Sequence, residues 1–215
     1  MTALPPIIPL DDLRVQLGFK DGDNGDDLWL VGAVESVAEA IESPLVAGRW
    51  FRTRGAVTLL FDAESVSRHG RYIDLSMGLQ ALTYLGVAWG DQPDDGTGTY
   101  TEIVSGVYLD PPAHARQPGE PASRISLGHS SASLLPTGAW KRCVKVTGTW
   151  GWASAPLRVQ QIARAAVIRA FRARKAGGAD YAVPVGPDGG MKILRDFAPS
   201  EIDELRSAYR VPTVA

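Results

Sequence analysis

The sequence contains a single cysteine, Cys143, among 215 residues. One cysteine cannot form a disulfide within the chain, and it excludes a zinc site built from several thiolates. Because Cys143 lies in an apolar run beside Val144 and Val146, we expect a buried structural thiol rather than a nucleophile.

Long hydrophobic runs are also missing. Nowhere does the sequence hold the roughly 20 consecutive apolar residues needed to cross a bilayer, and residues 1–13 lack the basic start and apolar stretch of a secretory signal. These absences predict a soluble chain with no membrane contact.

Metal-binding patterns are absent as well. The three histidines His69, His114 and His129 are scattered, without the short spacings typical of metal sites. The acidic loop 21–27 is rich in oxygen ligands, but Asp26 stands where a calcium loop needs its glycine, and Gly32 where it needs its glutamate. We therefore expect a solvated, helix-capping loop and no bound metal.

Catalytic motifs are equally scarce. No glycine-rich phosphate loop or dinucleotide fingerprint occurs. The serines after Gly128 and His129 lack the spacing and the strand-to-helix setting of a hydrolase nucleophile. The sequence predicts a protein that is not an enzyme and needs no cofactor.

Acidic and basic side chains are unevenly distributed along the chain, although the formal net charge is only −2. Residues 1–44 hold nine acidic and two basic side chains, whereas residues 121–179 hold ten basic side chains and no acidic one. Copies of such a chain can associate head to tail and close into a ring. Alternatively, the two regions pair within one subunit.

Hydrophobic periodicity predicts helices near both ends of the chain. We expect helices at residues 10–17, stopped by Gly18, and at 27–43, stopped by Pro44. A long helix is predicted at residues 154–176, with Ser154 as N-cap, and a short one at 199–209.

The middle of the chain has the composition of short strands and turns. The β-rich runs are residues 56–61, 72–75, 81–89, 100–109 and 143–150. The sequence thus predicts an α+β fold, with a small α-helical bundle formed by the N- and C-terminal segments and an inserted antiparallel β domain. The expected parts are residues 1–52, 53–152 and 153–215.

The long C-terminal helix carries a set of basic side chains: Arg158, Arg164, Arg169, Arg172, Arg174 and Lys175. Such a set could contact the phosphates of DNA, form the exposed face of an ordinary amphipathic helix, or bind a partner subunit. The sequence leaves these three interpretations open.

Two segments resemble the head-to-tail connector, or adaptor, family of siphophages, similar to the gp6-like head-tail connector protein. One is the pair of N-terminal helical segments, which ends in Ile41 and Glu42. The other is VKVTGTWGWASAP at residues 144–156, a strand that leads through a T-G-x-W-G-W turn into the long helix. Its family-like residues are Gly148, Trp150, Gly151, Trp152 and Pro156. We expect the glycines to allow a sharp exit from the strand and the tryptophans to pin it onto the helical core.

The resemblance implies a structural virion protein that forms a ring, of twelve subunits in the family, beneath the portal. Such a ring extends the channel through which genomic DNA passes and links the capsid to the stopper and tail. The chain would lie in the neck of the virion, after a stay in the host cytoplasm. The C-terminal segment of the family reaches the portal, which makes Tyr209, Arg210 and Val211 the corresponding contact here.

Two other functions are compatible with the sequence. The β insertion, which the resemblance does not cover, could be a ligand- or carbohydrate-binding module that uses exposed aromatic side chains, or it could contact the capsid. The basic helix could instead serve a DNA-binding accessory protein, whose affinity for DNA would fall steeply with salt.

Overall fold

The structure is a computed structural model that describes residues 4–20, 22–128, 134–176 and 197–209. Within these ranges the fold is α+β, with four helices and one antiparallel sheet of six strands. The chain divides into two compact units, one of residues 1–52 with 154–215 and one of residues 53–153. They are called the helical unit and the sheet unit below.

The helical unit contains helices from both ends of the chain. They are α1 (Leu10–Leu17), α2 (Asp27–Glu42), α3 (Leu157–Lys175) and α4 (Pro199–Tyr209). Gly18 ends α1 in the left-handed conformation, with φ of 73°, which a glycine adopts without strain. The predictions for α1, α2 and α4 are confirmed.

The predicted start of the long helix was wrong. Ser154 does not cap α3, because the N-cap position is held by Pro156 and the helix begins at Leu157. Proline already has the backbone φ of a helix and lacks the N–H that would be left unbonded there. Leu157, the first residue of α3, is 70% exposed.

Apolar side chains at helical spacing hold the helices together. In α2 the buried positions include Leu30, Val34, Val37 and Ile41, and α2 packs against α3 along this face. The buried residues of α3 are Val159, Ile162, Ala163, Ala166, Val167, Ala170 and Phe171. Helix α1 contacts both α2 and α3 and buries Leu13.

The sheet unit contains β1 (Arg54–Phe61), β2 (Tyr72–Val87), β3 (Thr101–Glu102), β4 (Val107–Asp110), β5 (Ala122–Leu127) and β6 (Val144–Trp150). Their order across the sheet is β1-β6-β2-β5-β4, and β3 pairs with the end of β2. All these pairings are antiparallel. Strands β1, β3 and β4 therefore each have a single pairing partner among the described strands.

Three details of the sheet differ from the sequence-based prediction. The predicted strands 72–75 and 81–89 are one strand, β2, with a register shift between Asp74 and Leu79 and a φ of 76° at Gly78. The predicted strand 100–109 is two short strands. Strand β5 was not predicted, because Ser123, Arg124 and Ser126 give it a polar sequence.

A loop between β2 and β3 is fixed to the sheet by Arg142. The backbone N–H of Arg142 donates to the Asp62 carboxylate. The Arg142 guanidinium donates to the carbonyl of Gln92 and forms an ion pair with Asp94. The Arg142 carbonyl accepts a bond from Tyr100 Oη at 2.8 Å. One side chain and its backbone thus hold several residues of this loop.

Candidate functional site

The basic side chains of α3 contact carboxylates of the same chain, first on α4. Arg158 donates to both carboxylate oxygens of Glu204, at 2.6 Å each. Arg169 donates to Glu201, with a shortest distance of 2.5 Å. The Arg158 guanidinium lowers the pKa of the Glu204 carboxyl. These contacts join α3 to α4.

Other basic residues of α3 contact the acidic N-terminal region. Arg164 lies 2.9 Å from Asp12, and Asp26 lies 3.0 Å from Arg174 and 2.8 Å from Lys175. These contacts join α3 to the start of α1 and to the loop before α2.

Arg172 is exposed and forms no ion pair with a residue in the described part of the chain. The other five basic residues of the predicted set are paired within the subunit. Three of them, Arg164, Arg174 and Lys175, pair with the acidic N-terminal region, as the second interpretation describes, whereas Arg158 and Arg169 pair with α4. Since the pairs are partly exposed, each contributes little to stability by itself, but together they leave less free positive charge for DNA.

The loop before α2 is held against the end of α3 by ring contacts as well. The Trp29 and Phe171 rings lie 5.7 Å apart, and Phe19 meets Phe171 edge to face at 5.6 Å. The Arg174 guanidinium lies 5.0 Å from the Trp29 ring centre, a cation–π distance. Asp26 thus lies beside a cluster of packed rings. The hydrogen bond from Lys175 lowers the pKa of the Asp26 carboxyl.

We expect Asp26→Asn to lower the melting temperature by about 2–4 °C at neutral pH, because a pair of this kind contributes on the order of 1 kcal/mol. The lowered pKa means that this stability is present above the unfolded pKa of about 4 and is lost as pH falls through the folded pKa. Thermal melts of the wild type and the variant should therefore converge below about pH 4.

The matched control for this substitution is Asp23→Asn in the same loop. Asp23 is exposed and forms no ion pair with any residue that the structure describes. Its substitution should leave the melting temperature unchanged at either pH. Equal effects of the two substitutions, or a pH-independent effect of Asp26→Asn, would show that the contacts of Asp26 do not stabilise the fold.

The family-like turn lies at the end of β6, and its two glycines differ in role. Gly151 has a φ of 81° and makes the turn after the strand, as predicted. Gly148 lies within β6, opposite Val57 on β1 and Leu82 on β2. A Cβ at Gly148 would lie 2.2 Å from the Ala81 carbonyl oxygen. Close strand packing, not the exit from the strand, therefore requires glycine at 148.

The tryptophans of the turn are buried, and Trp150 makes contacts within the sheet unit. Its indole N–H donates to the Val57 carbonyl at 2.9 Å, and its ring stacks on Phe61 with 6.1 Å between centres. Trp152 is buried and its carbonyl accepts a bond from Thr53 Oγ1.

The proposed C-terminal contact falls only partly within the described residues. Tyr209, the last residue of α4, packs edge to face on Phe51 at 5.1 Å. Its ring is half-buried in its own subunit, which leaves only part of it for a partner. Arg210 and Val211 lie outside the described residues.

A buried ion pair that the sequence did not reveal joins Glu42 to Arg52. Arg52 Nη2 lies 2.9 Å from Glu42 Oε2, and both side chains are almost fully buried, Arg52 at 2% exposure. Glu42 Oε1 also accepts bonds from the backbone N–H groups of Phe51 and Arg52. Burial disfavours the charged guanidinium, yet the hydrogen bonds that it donates to Glu42 and Glu35 outweigh this effect and raise the pKa of Arg52.

Among the described residues, those considered for metal binding do not assemble into a site. No group of three His, Cys, Asp or Glu residues suited to a metal occurs among the described residues. His69 and His114 are exposed, and Asp21 and His129 lie outside the described ranges. Cys143 is buried as predicted, and burial raises the pKa of its thiol.

Two surface clefts and an exposed aromatic pair lie in the described part of the sheet unit. The clefts have volumes of about 400 and 460 Å³. Their charged lining residues are Arg116 and Glu120 in the first and Asp94, Asp95 and Lys145 in the second. Trp89 is 63% exposed and meets Trp140 edge to face at 5.6 Å.

The outer face of α2 carries an exposed apolar pair. Leu28 is 88% exposed and Val31 53%, and their spacing of three residues places them on one side of the helix. Glu35 and Glu39 continue this stripe. The opposite side of α2 is buried, so exposure of large apolar side chains here is not a consequence of a loosely packed helix.

Among the described helices, none combines the length and apolar character that a membrane span requires. No protein-family model matches the chain, and no curated protein matches it either.

Proposed function

We propose that the helices of the helical unit form a small bundle of N- and C-terminal segments into which the sheet unit is inserted. The contacts of α3 with α1 and α2, and its ion pairs with α4, support this arrangement. Both ends of the chain contribute to the same unit, as an inserted domain requires.

We further propose that the protein is a structural virion component, a head-to-tail adaptor. Copies of the chain form a ring of twelve beneath the portal, extend the DNA channel, and link the capsid to the stopper and tail. The segment that begins at Pro199 is the proposed portal contact. Support comes from the resemblance of the two terminal regions and from the way those regions pack together.

The observation that carries this proposal is the exposed pair Leu28 and Val31. Contiguous exposed apolar surface commonly marks a contact surface, and Leu28, at 88%, is the most exposed large apolar side chain among the described residues. Because most charges of α3 are paired within the subunit, the apolar pair replaces the basic helix as the best candidate for an inter-subunit contact.

Replacement of both residues, Leu28→Glu with Val31→Glu, should abolish assembly and leave the monomer folded, since neither side chain is buried. The measurement is complementation in extracts of cells infected with a virus that lacks this protein, where heads and tails should accumulate unjoined. Added wild-type protein should restore infectious particles, and the double variant should restore at least about 100-fold fewer, as expected for a disrupted contact centre.

The control, Trp89→Ala, also tests the second candidate function. The exposed Trp89 favours a ligand-binding module, because aromatic rings at a surface bind partners through their faces. The adaptor proposal predicts that Trp89→Ala complements like the wild type. Loss of complementation with Trp89→Ala, and its retention with the Leu28 and Val31 double variant, would favour the ligand-binding function instead.

A further inference from the structure

The exposed side of α3 carries a row of residues comparable to the stripe on α2. It is called the α3 stripe below and contains five residues at spacings of three and four: Leu157, Gln161, Ala165, Ile168 and Arg172. Such spacings place side chains on one side of a helix. Leu157 and Arg172 are exposed, and Ile168 is partly exposed. Helix α3 therefore presents both apolar surface and a positive charge on its outer side.

Each stripe ends, toward the C-terminus of its helix, in a charge that is not paired within the described part of the subunit. The α2 stripe consists of Leu28, Val31, Glu35 and Glu39. Glu39 is exposed and, like Arg172, forms no ion pair with a described residue. Glu35, by contrast, pairs with Arg52. Two unlike charges thus lie at corresponding ends of two stripes that are apolar at their other ends.

The two stripes cannot meet within one subunit. Helices α2 and α3 pack against each other through their buried faces, and each stripe lies on the opposite side of its helix from that face. The two stripes therefore point away from each other, and a contact between them requires two copies of the chain. Such a contact joins two different surfaces, so it is heterologous and closes into a ring when the rotation between copies allows.

We propose that the α2 stripe of one copy packs on the α3 stripe of the next copy, with Glu39 of one copy paired to Arg172 of the other. The proposal rests on the adaptor function, because it names the contact that joins neighbouring copies in the ring. Charge favours a second copy as the occupant of each stripe, because a single contact gives both unpaired charges a partner and covers the apolar side chains beside them.

The order of residues along the stripes favours parallel helices in this contact. When Glu39 is level with Arg172 and the helices are parallel, the apolar residues of both stripes lie on the same side of the charge pair. Val31 then lies about one helical turn from Ile168 along the axis. With antiparallel helices, the apolar residues would extend in opposite directions from the charge pair. The parallel arrangement gives an apolar centre with a charge pair at its rim, as protein interfaces commonly have.

Charge reversal tests this contact in the complementation assay described above. Glu39→Arg and Arg172→Glu should each restore at least about 10-fold fewer infectious particles than the wild type, because each sets like charges against each other in every contact of the ring. The chain that carries both substitutions should recover to near the wild-type level, since the pair is then present with its charges exchanged. Thermal melts of all three variants should match the wild type, because neither side chain is paired within the described part of the subunit.

The matched controls are Asp23→Arg and Lys20→Glu, which make the same changes of charge at exposed residues outside both stripes. Both should complement like the wild type. Full complementation by either Glu39→Arg or Arg172→Glu, or failure of their combination to recover, would overturn the contact and leave the adaptor function standing. Failure of the wild-type chain itself to restore particles would instead overturn the adaptor function, and this contact with it.

Discussion

Glu42→Ala is expected to destabilise the helical unit by about 3–5 kcal/mol, the cost of removing one partner from a buried ion pair. Among the described residues, the substitution leaves the buried Arg52 guanidinium with Glu35 as its remaining counter-charge, at 2.6 Å from Arg52 Nη1. It also removes the acceptor of the Phe51 and Arg52 backbone N–H groups, and unbonded buried donors carry their own penalty. Urea denaturation followed by far-ultraviolet circular dichroism measures the change.

The control is Glu39→Ala, three residues earlier on the same helix. Glu39 is exposed and forms no ion pair with a described residue, so its replacement should change stability by no more than about 0.5 kcal/mol. The double variant Glu42→Leu with Arg52→Met should be more stable than Glu42→Ala alone, because no uncompensated charge remains. A loss below about 1 kcal/mol for Glu42→Ala would contradict the role assigned to the pair.

Gly148→Ala is expected to destabilise the sheet unit by at least about 3 kcal/mol, the upper part of what overpacking costs. The added Cβ would lie 2.2 Å from the Ala81 carbonyl oxygen and 2.7 Å from Leu79 Cδ1. The carbonyl belongs to the backbone of β2, so the clash is relieved only if β2 and β6 move apart. Near-ultraviolet circular dichroism of the buried Trp150, recorded during urea denaturation, reports this change.

Gly55→Ala on β1 is the matched control for Gly148→Ala. A Cβ at Gly55 meets nothing within 4 Å, so stability should change by about 0.5 kcal/mol or less. If Gly148→Ala fails to fold, its yield of soluble protein should be lower than that of Gly55→Ala. That difference would likewise support the close approach of β2 and β6. Equal stability of the two variants would contradict the close approach of β2 and β6.

Local signals in the sequence predicted much of the helical structure. Gly18 and Pro44 mark the ends of α1 and α2 through backbone geometry alone, so no distant contact is needed to place them. The start of α3 was misplaced because Ser154 satisfies the same local rule as a true N-cap. Only the structure shows that Pro156 takes that position.

Irregular strands were harder to predict than helices. Ser76, Gly78 and Gln80 have the composition of a turn, yet they lie inside β2, because a bulge with a positive φ at Gly78 keeps the strand continuous. Local sequence does not distinguish a bulge from a turn when the pairing partners, here β5 and β6, are unknown.

The pairing of charges could not be read from the sequence. The acidic and basic regions were evident, but Asp26 meets Arg174 and Lys175 across about 150 positions of the chain, and several carboxylates offered equivalent partners. The buried pair of Glu42 and Arg52 likewise gives no local signal, since both residue types are usually exposed. Such contacts depend on how the chain folds as a whole.

The most direct test of the adaptor proposal is quantitative mass spectrometry of purified particles of the virus that, under this proposal, encodes the chain. The proposal predicts that the chain is present in the particles in a one-to-one ratio with the portal protein, as expected if each portal subunit meets one adaptor subunit. Absence of the chain from purified particles would contradict the proposal.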